Sequence, residues 1–168
     1  SISAFCNAGI DLMGYEGAYS SLTSYADDWL VSLTICALII VGGIGFFVWD
    51  DIMVNKWHVK KYRLHTKIVI SSTAVLIIGG TFFIWLFEKN DLMKGMPAGE
   101  TFLTSLFSAV TARTAGFNTI DTAQLSTAGR LLTELLMFIG GSPGSTAGGI
   151  KTVTVVVLGV YVWSNLRG

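Results

Sequence analysis

The sequence predicts an all-α integral membrane protein whose last membrane segment is interrupted by a glycine-rich stretch. Two uncharged apolar runs, residues 29–48 and 68–87, have the length of about 20 residues that a helix needs to cross a bilayer. Charged residues make up only 13% of the chain, against about a quarter in a typical soluble domain. A soluble protein this short has too little polar surface to cover two such helices, so a membrane protein is favoured.

The distribution of charge predicts how these segments are oriented. Residues 50–67, between the two apolar runs, contain the basic residues Lys56, Lys60, Lys61, Arg63 and Lys67, whereas the segment before the first run carries only acidic charges. Loops rich in Lys and Arg stay on the cytoplasmic side. Residues 50–67 are therefore predicted to be cytoplasmic and the flanking segments to face outward. Anionic lipid is the simpler explanation of this basic charge, and a cytoplasmic partner protein is the alternative.

The interruption lies at residues 140–152, which read GGSPGSTAGGIKT and follow the apolar run 131–139. The apolar residues 152–163 come next, and neither run is long enough to span a membrane alone. Non-helical backbone is tolerated at membrane depth only where protein buries it or where it lines a water-filled cavity. Broken helices of this kind mark ion and substrate sites in transporters.

A nucleotide phosphate loop is the alternative interpretation of this stretch. That loop requires G-x-x-x-x-G-K-[ST], with the lysine directly after the last glycine. Here Ile150 separates Gly149 from Lys151, and the stretch follows a helix-like run rather than a β-strand. Both differences argue against nucleotide binding.

An internal repeat connects the two halves of the chain. Residues 5–11 read FCNAGID and residues 112–118 read ARTAGFN, so that Gly9 aligns with Gly116. Further along, VGGIG at 41–45 aligns with IGGSPG at 139–144. A duplicated unit preserves the order of its parts as well as their letters. Each copy is therefore predicted to contain a glycine-centred loop followed by an apolar helix.

The glycine-centred loops are candidate ion-selectivity filters. Residues 101–111 are too short to span and suit a helix that dips into the membrane from outside. The loop that follows has the shape of the potassium-channel filter T-V-G-Y-G, whose carbonyl oxygens replace the hydration shell of an ion. A central Gly enters the left-handed conformation cheaply. Tight turns that close helical hairpins are the alternative. The candidate filter residues are Asn7, Ala8, Gly9, Ile10, Asp11, Thr114, Ala115, Gly116, Phe117 and Asn118, with potassium bound by backbone carbonyls only.

The motifs FCNAGID, TARTAGFNTID and MFIGGSPGSTAGGIKT together resemble the Trk/Ktr/HKT superfamily of potassium transporters, closest to its bacterial pore-forming subunits. The resemblance covers essentially the whole chain. It implies a potassium-channel-like fold of four fused units around one pore, each with an outer helix, a pore helix, a filter loop and an inner helix. The third inner helix is broken. The chain is then expected to be a fragment that lacks the first and fourth units.

The resemblance also implies boundaries for the parts of the chain. Residues 1–49 would end one repeat with its filter loop and inner helix, and residues 50–67 would form the cytoplasmic loop. The next repeat would occupy residues 68–168. Its expected parts are the outer helix 68–87, the pore helix 100–112, the filter 113–118 and the broken inner helix 131–163.

The function that the resemblance implies is potassium uptake across the plasma (inner) membrane of a bacterium, by a multi-pass protein that is not an enzyme. The expected ion is K⁺, with Na⁺ as an alternative transported or regulatory ion, and no covalent cofactor is expected. The implied partners are membrane lipid, a second copy in a homodimer and a cytoplasmic ring of nucleotide-binding regulatory subunits, but no nucleic acid. The resemblance assigns gating to Gly140, Gly141, Ser142, Pro143, Gly144, Ser145, Thr146, Ala147, Gly148, Gly149 and Lys151.

Two other functions fit parts of the sequence. A secondary carrier could bind a small solute or ion at the broken helix, and a structural membrane subunit would need no site at all. A carrier has no reason to duplicate an A-G-centred outer loop, and a structural subunit leaves both the repeat and the break unexplained. The sequence contains no hydrolase triad, metal-ligand cluster or redox motif, so catalysis is the least favoured class.

Three charged residues near these loops have open roles. Arg113 precedes the second filter loop and is expected behind it, with Glu134 as its partner. Asp11 either concentrates cations at the outer mouth or caps the turn. Lys151 either anchors the lower half-helix by extending its ammonium group to the membrane interface or binds loop carbonyls and holds the gate closed.

Overall fold

The computed structural model describes residues 1–10, 21–23, 28–56, 58–120 and 124–168, and its fold is all-helical. The prediction of an all-α protein is confirmed. The helices are α1 (Ile2–Phe5), α2 (Trp29–Ile44), α3 (Phe46–Asn55), α4 (Leu64–Glu88), α5 (Ala98–Ala112), α6 (Thr127–Phe138) and α7 (Thr152–Arg167), with a short 3-10 turn at Val59–Lys61 before α4.

The first apolar run is not one continuous helix. Asp28 starts α2 by accepting hydrogen bonds from the backbone N–H groups of Leu30 and Val31 at 2.9 and 3.2 Å, as an N-cap does. The helix ends at Ile44, and the chain bends by 93° into α3. Gly45 makes the bend with φ 93° and ψ 153°, a conformation that L side chains avoid. The predicted span 29–48 and the predicted loop beginning at residue 50 are therefore both corrected, because α3 crosses that boundary.

The second apolar run forms α4, which at 25 residues is longer than the predicted outer helix 68–87. Within the described ranges, α4 is the one single helix that is long and apolar enough to cross a membrane. The bent pair α2–α3 passes the same test only when its halves are taken together. The buried Asp51 of α3 accepts a hydrogen bond from the backbone N–H of Arg63 at 2.9 Å, so it connects the end of the bent pair to the start of α4.

Helix α5 lies at the centre of the fold. Its residues Phe107 and Val110 pack with Cys36 and Ile39 of α2 in one apolar cluster. On its other side, Ala109 and Ala112 pack with Ile84 of α4 and Leu136 of α6 in a second cluster. The observed helix begins two residues before the predicted pore helix 100–112 and ends at the same residue.

A carboxylate fixes the beginning of α6. Glu88, the last residue of α4, is fully buried and accepts hydrogen bonds from the N–H and the hydroxyl of Ser126 at 3.1 and 2.6 Å. Ser126 in turn caps α6 by accepting a bond from the N–H of Gly129 at 3.0 Å. Gly129 must lack a side chain because a Cβ atom there would overlap Glu88 Oε1. This arrangement ties α4 to the helix that leads into the glycine-rich break.

The third apolar region is broken as predicted. Helix α6 ends at Phe138 and α7 begins at Thr152. Between them the chain forms a loop whose two ends are hydrogen-bonded to each other. The N–H of Gly140 donates to the carbonyl of Ile150 at 2.9 Å, and the N–H of Ile150 donates to the carbonyl of Phe138 at 3.3 Å. Residues 140–151 form a closed loop, called the gating loop below after its proposed role.

Candidate ion pathway

The two glycine-centred loops, residues 7–10 and 114–118, match in conformation at their central glycines and lie side by side. Gly9 and Gly116 both have positive φ angles, of 66° and 81°. A Cβ atom on Gly9 would overlap the carbonyl oxygen of Ala115, whereas a Cβ atom on Gly116 would lie 4.0 Å from the Cα of Gly9. Glycine is therefore required at both positions by backbone conformation, and at Gly9 by close approach as well.

Hydroxyl groups on α1 and α5 form hydrogen bonds with the two glycine-centred loops. Thr111, in the last turn of α5, donates a hydrogen bond to the carbonyl of Phe117 at 2.8 Å. Ser3 of α1 accepts a hydrogen bond from the N–H of Ile10 at 2.8 Å. At the end of the second loop, the carbonyl of Asn118 accepts a bond from the N–H of Leu22 at 2.9 Å. Both loops are fixed by contacts on their protein side.

These contacts separate the loop carbonyls into two groups. The carbonyls of Phe117 and Asn118 are bonded within the protein. The carbonyls of residues 7–9 and 114–116 accept no hydrogen bond from the described part of the chain. Within the described residues, the carbonyls of this second group and of Ile10 have no donor, and they are the candidates for coordinating a cation. Asp11, the last residue of the first predicted filter loop, lies outside the described residues.

The gating loop docks on the break between α2 and α3. The last carbonyls of α2, at residues 41–44, have no hydrogen-bond donor within their own helix, as at any helix C-terminus. The indole N–H of Trp49 bonds the carbonyl of Val41 at 3.1 Å. The loop supplies four donors for the other three carbonyls: the N–H and hydroxyl of Thr146 for Gly42, at 3.4 and 3.2 Å, and the N–H and hydroxyl of Ser142 for Gly43 and Ile44.

The loop also bonds back to the start of α3, where the N–H of Phe46 donates to the carbonyl of Gly144 at 3.0 Å. Gly144 and Gly149 have positive φ angles of 73° and 74°. A Cβ atom on Gly140 would overlap the carbonyl oxygen of Gly148, and one on Gly141 would overlap the Cβ of Ala147. Four of the predicted gating glycines are thus required by backbone conformation or by close packing.

Within the loop, two side chains bond backbone carbonyls. The ammonium of Lys151 donates to the carbonyl of Ala147 at 2.6 Å, and the hydroxyl of Ser145 donates to that of Ser142 at 2.6 Å. Pro143 is half-buried and Gly148 is exposed. The geometry at Lys151 matches the second of its two predicted roles, binding of loop carbonyls.

Arg113 lies between the second glycine-centred loop and the gating loop, but it does not contact Glu134. Its side chain is buried, and Nη2 makes a long hydrogen bond of 3.4 Å to the carbonyl of Gly140. Its Nε has no partner in the described chain. Glu134 is exposed on α6, because the buried face of that helix is turned toward α4 and α5 through Leu136. The expected Arg113–Glu134 pair is replaced by a contact to the first residue of the gating loop.

Other residues of this region were not predicted as part of the site. Thr111 supports the second loop, and Gly42 allows α2 to approach α1, since a Cβ there would overlap the carbonyl oxygen of Phe5. Gly42 belongs to the repeated VGGIG motif, so its place in the repeat was the available signal. For Thr111, the sequence contained no signal beyond its position before the second glycine-centred loop.

Comparison with known proteins now bears on this arrangement. The family model described as TrkH, cation transport protein, matches residues 1–165. The chain belongs to the TrkH family of cation transport proteins. This confirms the family suggested by the filter-like and glycine-rich motifs, and it confirms that the chain belongs to a transporter family and not to an enzyme family.

Relatives of this family member are similar over nearly its whole length. The potassium/sodium uptake protein NtpJ of Enterococcus hirae is 43% identical over 169 residues, which cover 99% of this chain and 36% of the relative. The Ktr system potassium uptake protein B is 38% identical in Vibrio alginolyticus and 40% identical in Bacillus subtilis, over 99% of this chain in each case and 36% and 37% of the relative. The chain therefore spans little more than a third of these proteins.

The fold has also been seen in a solved structure. The potassium transporter TrkH from Vibrio parahaemolyticus superposes with a TM-score of 0.77 and 20% sequence identity, over 98% of this chain and 34% of that one. The all-helical arrangement with short helices, glycine-centred loops and a broken helix is therefore the membrane-transporter fold of this family.

Proposed function

We propose that this chain forms part of the ion pathway of a potassium-uptake transporter, with the loops at residues 7–10 and 114–118 as two sides of its selectivity filter. One observation carries the proposal: two copies of the same glycine-centred loop lie next to each other with left-handed glycines at matching positions. Their unbonded carbonyls at residues 7–9 and 114–116 are the oxygen ligands that a dehydrated potassium ion requires.

The names of the relatives support K⁺ as the transported ion. Two are potassium uptake proteins, and a third is a potassium/sodium uptake protein. Carbonyl rings select by matching the hydration energy of the preferred ion, so Na⁺ is the natural competitor. We therefore assign K⁺ as the transported ion and Na⁺ as a second ion that the transporter encounters.

The test uses the full-length transporter that contains this segment. Expressed in a bacterium without its own potassium uptake systems, it is expected to restore growth at low external K⁺. In proteoliposomes it is expected to carry K⁺ faster than Na⁺. Accumulation of a small organic solute without K⁺ flux would instead support the carrier alternative and contradict the filter assignment.

We assign the gating function to the loop at residues 140–151. Its support is that the loop leaves the helical path inside the fold, closes on itself and is docked by several hydrogen bonds. Hydrogen bonds of this type can be exchanged for bonds to water at small net cost. Such a segment can move without unfolding the helices on either side.

Lys151 is expected to stabilise the closed loop through its bond to the carbonyl of Ala147. In Lys151→Met, which keeps the apolar stem of the side chain but removes the ammonium, this bond is lost. A hydrogen bond to a charged group contributes about 1.5–3 kcal/mol, so basal K⁺ flux is expected to rise by roughly tenfold or more.

The measurement is K⁺ flux into proteoliposomes without activating partners. Lys151→Arg, which keeps the positive charge, is expected to remain near the parent value. Equal flux for Lys151→Met and the parent would mean that Lys151 only anchors α7 at the membrane interface.

We also propose that the transporter works as a homodimer in the plasma membrane and is regulated from the cytoplasm. The support is the name of the Ktr system proteins, which indicates a multi-subunit system, and the basic segment between α3 and α4, whose Lys60 and Lys61 are exposed. A nucleotide-binding ring of regulatory subunits or anionic lipid would both suit this charge.

The orientation can be checked by labelling. A cysteine in place of the exposed Lys60 is expected to react with a membrane-impermeant thiol reagent only from the cytoplasmic side of inside-out vesicles, in a background without Cys6. Labelling in intact cells would reverse the proposed orientation.

A further inference from the structure

A junction of three polar side chains connects both glycine-centred loops to the gating loop. Asn7 belongs to the first loop, Thr114 to the second and Thr146 to the gating loop. Asn7 and Thr114 are 107 residues apart and occupy equivalent positions in the internal repeat. The junction therefore lies where the two copies of the repeat meet and where the gating loop touches them.

The Asn7 side chain uses both ends of its amide. Its Oδ1 accepts a hydrogen bond from the hydroxyl of Thr114 at 2.9 Å. Its Nδ2 donates to the hydroxyl oxygen of Thr146 at 2.9 Å. An amide carries its acceptor and its donor on separate atoms, so one side chain bonds both hydroxyl groups at once. An ionised carboxylate would lack the donor.

The backbone at Asn7 is shaped for this role. Asn7 has a φ angle of 51°, in the left-handed region that Asn tolerates better than most L residues. The residue is buried, with 8% of its surface exposed. Its side chain is thus held by neighbouring residues of the protein.

Thr146 extends the junction to the framework. Its hydroxyl lies 3.0 Å from the carbonyl of Phe5, at the end of α1, and 3.2 Å from that of Gly42 on α2. A hydroxyl carries one hydrogen, so it accepts from Asn7 and donates to one of these two carbonyls at a time. The hydroxyl of Thr146 therefore connects the gating loop to the first glycine-centred loop, to α1 before it and to α2.

We infer that Asn7 is a positioning residue through which the state of the gating loop sets the geometry of the selectivity filter. This inference rests on the proposed function. When the gating loop moves away, Nδ2 of Asn7 loses its 2.9 Å bond to Thr146 and keeps only a 3.5 Å contact with the carbonyl of Phe5, so the amide can turn from Thr114. Both filter loops then lose a contact at once. The coupling is reciprocal, because an ion that orders the filter also holds Asn7 toward Thr146.

The test uses two isosteric substitutions in the full-length transporter. Thr146→Val keeps the shape of the side chain and removes the acceptor for Asn7, and Thr114→Val removes the donor at the other end. Both are expected to lower the K⁺ over Na⁺ flux ratio by several-fold and to raise basal flux, and the rise is expected to be larger for Thr146→Val, which removes the contact of the gating loop itself. The conservative variants Thr146→Ser and Thr114→Ser keep the hydroxyl and are expected to restore the parent ratio.

A matched control is available next to the loop. Thr152 is buried at the start of α7, and its hydroxyl has no partner in the described chain. Thr152→Val makes the same chemical change in the same region without removing a hydrogen bond. It is expected to leave both flux and ion preference at the parent values.

The two effects of the junction also predict non-additivity. Because Thr114 and Thr146 act through the same amide, the double variant is expected to lose little more selectivity than either single variant. Additive losses would overturn the inference, and so would increased flux in Thr146→Val with an unchanged ion ratio. If Thr146→Val does not accumulate in the membrane, Thr114→Val decides alone. A rise in its basal flux together with a loss of selectivity supports the inference, and a loss of selectivity at unchanged basal flux overturns it.

A labelling experiment tests the reciprocal direction. Gly148 is exposed, has no atom near its Cβ position and has no positive φ, so Gly148→Cys can report on loop movement after Cys6→Ser and Cys36→Ala. K⁺ in place of Na⁺ is expected to slow thiol labelling several-fold, and Thr146→Val is expected to abolish this difference. Labelling that is equally ion-dependent in both would overturn the coupling. A parent transporter that does not distinguish K⁺ from Na⁺ would instead overturn the proposed function.

Discussion

Gly9→Ala is expected to abolish most of the K⁺ over Na⁺ preference, with a larger effect than Gly116→Ala. Both glycines have left-handed backbone, which costs an L residue about 1–2 kcal/mol. At Gly9 a methyl group also overlaps the carbonyl oxygen of Ala115, one of the free carbonyls. The overlap pushes the two loops apart and displaces a proposed ligand, whereas Gly116 meets only the strain.

The measurement is the ratio of K⁺ to Na⁺ flux in proteoliposomes. The strain alone corresponds to a loss of roughly 5- to 30-fold for Gly116→Ala, and Gly9→Ala is expected to lose more. Gly79→Ala on α4, where nothing lies within 4 Å of the new methyl group, provides the baseline. Equal losses at Gly9 and Gly116 would mean that the two loops do not touch as described.

Gly140→Ala is expected to open the gating loop. Its methyl group would overlap the carbonyl oxygen of Gly148 on the returning side of the loop. The two hydrogen bonds that close the loop, from Gly140 to Ile150 and from Ile150 to Phe138, lie at the same place. Each is worth about 1 kcal/mol, so their loss shifts the balance from closed to open by roughly 30-fold.

Basal K⁺ flux without activating partners measures this shift. Gly148→Ala, in the same loop, adds a methyl group where no atom lies within 4 Å, and a much smaller increase is expected. Gly159→Ala on α7 is equally unobstructed and serves as the reference for helix stability. A drop in flux for Gly140→Ala, at a normal amount of protein in the membrane, would mean that the loop does not obstruct the path.

Local sequence was sufficient to predict the features that depend on backbone chemistry. The left-handed glycines at Gly9 and Gly116 follow from short motifs, because only glycine adopts that conformation cheaply. The break at residues 140–151 follows from a run of Gly, Ser and Pro inside an apolar segment. Both features are determined within about ten residues.

Features that depend on how helices rotate and pack were not predictable in this way. The bend at Gly45 lies in an uncharged run long enough to span as one helix, and its alignment with the start of the later break was the one sign that α2 ends there. Glu134 lies on the predicted inner helix that follows Arg113 in the chain, but α6 turns it outward. Glu88 directly follows the predicted span and reads as its first exposed polar residue, although it is fully buried as the cap of α6. Partner choice requires the packed structure.

The docking of the gating loop on residues 41–44 has an electrostatic consequence. Carbonyls at the end of a helix carry the negative end of its dipole, and here the loop covers three of them with donors. Buried backbone acceptors do not stay unpaired, so a departing loop leaves them to water or to a passing cation. Movement of the loop therefore does more than clear space. In the proposed gating movement, it exchanges a neutral surface for an electronegative one beside the proposed ion path.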